Sequence, residues 1–303
     1  FKDGTIGLPV YHEFMGKFCE LLRLDQDGNI LHKQRISHGR TSLQPCIVPL
    51  STDHAVCTMR PAGSSPKKLQ ISTTHDGGLS WTPLTDNQPS LAIGSIALDP
   101  SNRDIIYVGT GEEVFSGDSY YGAGILKSTD SGASWTHLPG PFVGPFCSGF
   151  SPGGGARIGS LAVHPTNGQI LLAAVQIFVS IATGLSSGIY RSTAGGGSWT
   201  LPLAGAAGTE VFFDPTNPNI AYAALGTVGG DPDNGVYQSL DGGLTWTRIG
   251  GTGANALPAV DVGRIEIAIA PAPSSPSTLY AGIQNSASAS FGTLLGFFKT
   301  TDA

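Results

Sequence analysis

Residues 127–136 read KSTDSGASWT, and close copies of the stretch recur along the chain. Thr74 to Trp81 read THDGGLSW, Ser192 to Trp199 read STAGGGSW, and Ser239 to Trp246 read SLDGGLTW. The 303-residue chain has four tryptophans, and each one closes an octet. Residues 299–303, KTTDA, open a fifth copy. The third positions fall at Asp76, Asp130, Ala194, Asp241 and Asp302, at intervals of 54, 64, 47 and 61 residues. An interval of that size holds four short strands and their loops, the unit of a β-propeller blade.

Aligning on the octets aligns more than the octets. IGSIALDPSNRDIIYVGTG (93–111) matches IGSLAVHPTNGQILLAAVQ (158–176), and TEVFFDPTNPNIAYAALG (209–226) matches GRIEIAIAPAPSSPSTLYAGIQ (263–284). Each run alternates or is wholly apolar over four to eight residues and is closed by Pro, Asn or Gly, the pattern of strands. The Asp/His-Pro-x-Asn segments are turns, with Pro presetting the backbone and Asn tolerating the left-handed region. No stretch has the periodicity of an amphipathic helix. The expected fold is therefore all-β: a single β-propeller domain over 1–303 with about six four-stranded blades and the octet turns between third and fourth strands. A partial unit precedes Arg40, four full units follow, and a last one stops at Ala303.

The bulk numbers agree. Forty-three glycines, 21 prolines and 13% charged residues suit many strands joined by turns, and 40% apolar residues argue against disorder. The net charge is −6, and Lys67-Lys68 is the densest basic pair, so nucleic acid is excluded as a partner. No apolar run reaches the roughly 18 residues of a membrane helix, so no membrane span is expected. No signal-peptide pattern stands at Phe1, so the start reads as processed or excised. Cys19, Cys46, Cys57 and Cys147 form no C-x-x-C pair, which speaks against zinc. Cys46 and Cys57 flank a turn at residues 51–54. With a four-residue loop they share a sheet face one pair out of register, which disfavours a disulfide.

The pattern [S/T]-x-D-x-G-x-x-W resembles the Asp-box, or bacterial neuraminidase repeat, of sialidase-like propellers. The resemblance implies a structural role for Asp76, Asp130 and Asp241, whose side chains would accept backbone N–H bonds across the turn. Gly78, Gly132 and Gly243 would supply the backbone angle. Trp81, Trp135, Trp199 and Trp246 would plug each blade into its neighbour. Ala194 supports a fastener over a working site, because that copy loses its Asp and keeps Gly and Trp.

Two parts of the chain resemble different families. Residues 1–88, with DGTIGLPVYHEFMGKFCELLRLDQDGNILHKQRIS, resemble predicted bacterial neuraminidases. Residues 93–303, with LDPSNRDIIYVGTGEEVFSGDSYYGAGILKSTDSGASWT, resemble sortilin-type and xyloglucanase-type repeat propellers. Blades over 1–90 are thus expected to be sialidase-like and those over 91–303 sortilin/xyloglucanase-like, with the seam at TDNQPSLAIGS (85–95). A natural mosaic and an engineered or recombined propeller without a ligand both fit such a seam.

The sialidase resemblance implies an arginine triad on a carboxylate, a Tyr activated by a Glu, and an Asp acid/base. Gln44-Pro45…Met59-Arg60…Thr74-His-Asp76 fits its frame and nominates Arg60 as a triad member. The Glu position holds Gln44, an amide that cannot take the tyrosine's proton. Arg157, Arg191, Arg248 and Arg264 show no shared context that would complete the triad. Tyr11 and Glu13 are a second catalytic candidate pair, set on one face of a strand with His12 on the other. The xyloglucanase resemblance implies an Arg-Thr-Asp-Val-Gly-Gly motif, but Tyr107-Val-Gly-Thr-Gly111 stands in its place without the Asp.

The loop Glu112 to Tyr121 is the remaining candidate. Glu112, Glu113 and Asp118 offer hard oxygen ligands suited to Ca²⁺, and Tyr120 and Tyr121 offer faces for a sugar ring. Its spacing matches no calcium-loop motif. No cofactor is expected apart from that Ca²⁺ candidate. The leading functional expectation is a non-catalytic propeller outside the cytoplasm (secreted, cell-surface or periplasmic) that binds a carbohydrate or protein ligand on its channel face. The enzymatic alternative is a sialidase-type glycoside hydrolase.

Overall fold

The computed structural model describes all residues except 1–4, 13–17, 37–41, 50, 52, 62–69, 85–87, 91, 114–120, 144–154, 178–185, 251–255, 271–277 and 301–303. Six antiparallel sheets follow one another along the described chain. The first has three strands, β1 (Ile6–His12), β2 (Phe18–Leu24) and β3 (Ile30–Arg35). The second joins β4 (Ser42–Pro49), β5 (Ala55–Pro61), β6 (Gln70–Thr74) and β7 (Thr82–Pro83). The third joins β8 (Ile93–Asp99), β9 (Asn102–Thr110), β10 (Ile125–Ser128) and β11 (Thr136–Leu138).

The fourth sheet is β12 (Arg157–His164), β13 (Asn167–Gln176), β14 (Gly188–Ser192) and β15 (Thr200–Ala204). The fifth is β16 (Gly208–Phe213), β17 (Ala221–Leu225), β18 (Gly235–Ser239) and β19 (Thr247–Ile249). The sixth has three strands, β20 (Val262–Ala270), β21 (Thr278–Asn285) and β22 (Leu294–Thr300). Each sheet is a meander of sequential neighbours, as the repeat pattern predicts, and the lone helical turn among the described residues is a single 3₁₀ turn at Gly140–Phe142.

Two compact units share the chain. One comprises 1–93, 103–106 and 127–137, and the other comprises 94–102, 107–126 and 138–303. In the first, Cys19 and Leu21 of β2 meet Cys57 and Met59 of β5 in one buried cluster that includes Trp81. In the second, consecutive sheets share their cores. Leu172, Ala174 and Ile189 of the fourth sheet pack with Val211, Phe213 and Ala223 of the fifth, with Trp246 against them. All of β17 is buried, and its sequence AYAAL explains how: three alanines let neighbouring sheets approach closely around one tyrosine.

The octets form the turns between third and fourth strands of the second to fifth sheets. In all four, the first-position hydroxyl accepts the N–H of the fifth-position glycine: Gly78 to Thr74 at 2.9 Å, Gly132 to Ser128 at 2.8 Å, Gly196 to Ser192 at 3.0 Å and Gly243 to Ser239 at 2.8 Å. The aspartate works further out. Asp76 accepts Ser80 N at 2.9 Å, Asp130 accepts Ser134 N at 2.8 Å, and Asp241 accepts Leu244 N at 3.0 Å and Thr245 N at 2.9 Å. Burial opposes charge on Asp76 and Asp241, but these bonds outweigh it and hold both carboxyls down to about 2.

The fifth-position glycine matters for space as well as for its angle. At Gly243, with φ +84°, a Cβ would come within 2.6 Å of Leu172 in the preceding sheet. The indoles of Trp81 and Trp199 donate to Gly78 O and Gly196 O, whereas the buried indole N–H groups of Trp135 and Trp246 find no acceptor among the described residues.

Two details of register depart from expectation. Ile47 pairs with Cys57, and Cys46 pairs with Thr58, so the connecting loop is one residue longer than the four assumed. That single residue moves Cys46 and Cys57 to register positions on opposite faces. Cys19 and Cys57 are buried thiols. The first sheet also holds a turn the octet search does not reach: Asp25 accepts the N–H groups of Asp27 at 3.0 Å and Asn29 at 2.8 Å, with Gly28 at φ +83°. It has the carboxylate clasp and lacks the tryptophan, which is the residue the search depends on.

Candidate functional site

The expectation of a ligand on the channel face directs attention to the first strand of each sheet. Counting back four residues from each Asp/His-Pro or Ala-Pro turn reaches Ser95, Ser160, Glu210 and Glu266, one equivalent position in four successive sheets. These side chains link neighbouring first strands. Ser95 Oγ accepts Leu161 N at 2.9 Å. Ser160 Oγ accepts Val211 N at 3.3 Å and donates to Glu210 Oε1 at 2.5 Å. Glu210 in turn lies close enough to Glu266 for the two carboxylates to repel. Strand alternation puts the position on the same side of every first strand, so a short polar side chain reaches the next sheet's backbone.

Glu113 enters the same cluster from the end of the β9 segment. It is 5% exposed and forms an ion pair with Arg264 Nη1. The Arg264 guanidinium also donates to Glu266 Oε1 from Nε at 2.8 Å and from Nη2 at 2.5 Å. Gly159 makes room for this arrangement, because a Cβ there would lie 2.8 Å from Glu113 Cγ. Close by in sequence, the Arg157 guanidinium lies 4.7 Å from the centre of the Tyr121 ring and donates to Gln176 Oε1 at 3.4 Å. Arg157 is itself buried.

The electrostatics follow from burial. Desolvation pushes Glu113 up to about 7, with Arg264 pulling the other way. Desolvation also pushes Glu210 up to about 7; the bond from Ser160 opposes it, and neighbouring Glu266 adds to it. Burial alone would lower the Arg264 guanidinium, but Glu113 and Glu266 outweigh that and raise it. The cluster is a fixed cation, Arg264, bonded to Glu113 and Glu266, with burial raising Glu113 and Glu210 to about 7. It can hold and exchange a proton, donate hydrogen bonds from neutral carboxyls, and accept them from sugar hydroxyls.

The earlier candidates distribute differently. Glu113 and Tyr121 of the nominated loop are in or beside the cluster. Glu112 is half-buried, and Asp118 and Tyr120 lie outside the described residues. Glu113 faces the Arg264 guanidinium, and among the described residues no His, Cys, Asp or Glu cluster of three or more could hold a metal ion. Arg60 is on β5 opposite Leu43 of β4, but its side chain and that of Gln44 lie outside the described residues. Tyr11 is on β1, 46% exposed and opposite Cys19, while Glu13 lies outside the described residues. Thr110, where the xyloglucanase-type motif would place its aspartate's neighbourhood, is fully buried and bonded to Gly124 O at 2.5 Å and Ala123 N at 2.7 Å. Sequence reasoning named Arg264 without context and passed over Glu210 and Glu266. The signal was present in their shared offset from the turn.

Comparison with known proteins adds three findings. A BNR repeat-like domain model matches residues 1–102. A xyloglucanase of a Paenibacillus species is 29% identical over 228 residues, covering 64% of this chain and 21% of the relative. A xyloglucanase of Hypocrea jecorina is 30% identical over 221 residues, covering 61% of this chain and 25% of the relative. The chain thus spans about a quarter or less of the length of these curated relatives. Among solved structures, the GH74 xyloglucanase from Xanthomonas campestris superposes on 99% of this chain and 46% of its own, with a TM-score of 0.58 at 16% identity. No helix among the described residues is long and apolar enough to cross a membrane.

Proposed function

We propose that this chain, a β-propeller of the Asp-box or BNR-repeat type, is a carbohydrate-binding module that does not itself hydrolyse its ligand. The relatives named xyloglucanases support a glycan-directed role. One observation carries the non-catalytic part. Arg264 bonds both Glu113 and Glu266, so one guanidinium already occupies two of the carboxyl groups in the cluster. A retaining glycosidase separates its two carboxyls by about 5 Å, and an inverting one by more, so that a sugar fits between them. The third carboxyl, Glu210, accepts the Ser160 hydroxyl at 2.5 Å. Glu266 is 54% exposed, so it is the group of this cluster most open to a hydroxyl-rich ligand.

Calorimetric titration with xyloglucan oligosaccharides and with sialyllactose, run beside an assay for released reducing ends, tests the reading. The expected result is binding to a neutral β-glucan oligosaccharide, weakened in Glu266→Ala, with no reducing ends produced. Turnover that Glu266→Ala abolishes would instead make the chain a hydrolase, and failure to bind any glycan would remove the carbohydrate role. The sialidase-type alternative predicts cleavage of a fluorogenic sialoside that is lost in Arg60→Ala.

A further inference from the structure

The connections that lead into three successive sheets treat the apolar space beside them differently. The one into the fourth sheet inserts Phe142, which is fully buried and meets Tyr190 and Trp199 edge-on at 5.2 and 5.3 Å. The one into the fifth runs only from Gly205 to Ala207, and Ala206 completes the core shared with the fourth. The one into the sixth, 250–261, is longer, and between the fifth and sixth sheets lies a cavity of about 330 Å³. Val236 of β18, Val262 and Ile265 of β20 and Ile283 of β21 line it, all of them 5% exposed or less. Ile249 and Leu257 add further aliphatic wall. The cavity therefore reaches down to the core that the two sheets share, and its volume falls in the range of small-molecule pockets.

A cation stands among these groups. Arg248 of β19 lines the cavity, and its guanidinium donates from Nη1 to Pro232 O at 3.1 Å and from Nη2 to Asn234 O at 2.6 Å. Asn234 is itself fixed, because it is 1% exposed and its side-chain amide donates to Val262 O at 2.7 Å. Gly235 leaves room for the guanidinium, since a Cβ there would lie 2.5 Å from Arg248 Nε. The two backbone bonds leave three of the five guanidinium N–H donors. Asp231 and Asp233 stand in the neighbouring loop, yet no carboxylate among the described residues forms an ion pair with Arg248. Arg264, by contrast, is held by two. The Arg248 guanidinium is thus positioned by backbone carbonyls and keeps its charge for a planar anion.

We infer that this cavity binds a small monocarboxylic acid with an apolar body, the carboxylate on Arg248 and the body against Val236, Val262, Ile265 and Ile283. An engineered cavity of about 150 Å³ in another protein admits benzene, so one of about 330 Å³ holds a six-membered ring and a short acidic arm. Sugar hydroxyls would be buried without partners on aliphatic walls. The site therefore differs in chemistry from the first-strand cluster, with which it shares no residue.

Calorimetric titration and saturation-transfer NMR with 3-phenylpropionate test the assignment in the 303-residue chain. The expected result is one saturable site. The alcohol 3-phenylpropanol, with the same body and no charge, and glucuronate, with the charge and a polar body, each bind at least about tenfold more weakly. Arg248→Gln weakens 3-phenylpropionate at least about tenfold and leaves 3-phenylpropanol unchanged, while Leu257→Trp fills the cavity and removes both. Circular dichroism matching the parent shows that the variants fold. Where Arg248→Gln does not, Arg248→Lys takes its place, with the same selective loss for the acid because an ammonium cannot present paired donors. A parent that binds no 3-phenylpropionate overturns the inference, as does glucuronate binding equally well. So does an Arg248 variant that weakens acid and alcohol alike, or acid binding that Leu257→Trp leaves intact.

Discussion

Removing the first-position hydroxyl of an octet will cost more stability than removing its aspartate. In the fourth octet, Ser239 is 1% exposed, accepts Gly243 N at 2.8 Å and donates to Asp241 Oδ1 at 2.7 Å. Ser239→Ala leaves the buried Gly243 N–H without a partner and without room for water. A buried unsatisfied donor costs about 1–3 kcal/mol, so the loss is about 2 kcal/mol. Asp241 accepts the N–H groups of Leu244 and Thr245, which lie at the exposed tip of the turn. Water replaces the carboxylate there, and Asp241→Ala costs about 1 kcal/mol. At roughly 2–4 °C per kcal/mol for a domain of this order of size, the Tm falls about 4–8 °C in the first case and about half that in the second. The third octet is a natural instance of the milder change: Ala194 replaces the aspartate, yet Ser192 still accepts Gly196 N and Trp199 still donates to Gly196 O. Urea and thermal unfolding followed by tryptophan fluorescence measure both variants, with Ala194→Asp as the gain-of-stability partner. If Asp241→Ala is the more damaging change, the hydroxyl is not the anchor and this account of the turn is wrong.

Three further outcomes follow from the same geometry. Gly243→Ala will destabilise by about 2 kcal/mol or more through collision with Leu172 and an unfavourable positive φ, and Leu172→Ala in the same chain will recover the steric part, as a double-mutant cycle measures. Asp76 and Asp241 are held down to about 2 in the folded protein. Their contribution is complete above the unfolded value near 4 and is lost as pH falls toward 2, so Asp76→Asn will flatten acid unfolding in that window. Glu210 is raised to about 7. The folded state then binds more protons than the unfolded one between about pH 4.5 and 7, stability falls as pH rises through that range, and Glu210→Gln will raise the Tm at pH 8 while leaving it nearly unchanged at pH 4.

The strand pattern, the octets and the sheet count were readable along the chain because each depends on neighbours in sequence. A turn that needs a hydroxyl, a carboxylate, a left-handed glycine and an indole within eight residues repeats those letters wherever it repeats its shape. Even there, the letters misled about rank: the aspartate is the conspicuous member of the pattern, while the buried hydrogen bond belongs to the Ser or Thr two places earlier. The Asp25 turn went unread because it lacks the tryptophan, and the Cys46–Cys57 register went unread because a loop one residue longer reverses every face.

What tertiary structure alone decided is the company each side chain keeps across sheets. Glu113 and Arg264 are 151 residues apart and meet where the segment after β9 reaches the first strand of the sixth sheet. Sequence determines that both exist, but their pairing depends on the stacking of sheets and on Gly159 leaving space. The same holds for Phe297: its column in the repeat is apolar by sequence, with Ile189 and Val236 buried at the equivalent places, yet Phe297 is 68% exposed. Local bonding is encoded in adjacent residues. Burial and ion pairing are encoded in distances that no short stretch contains, because desolvation depends on everything packed around a group and not on its neighbours along the backbone.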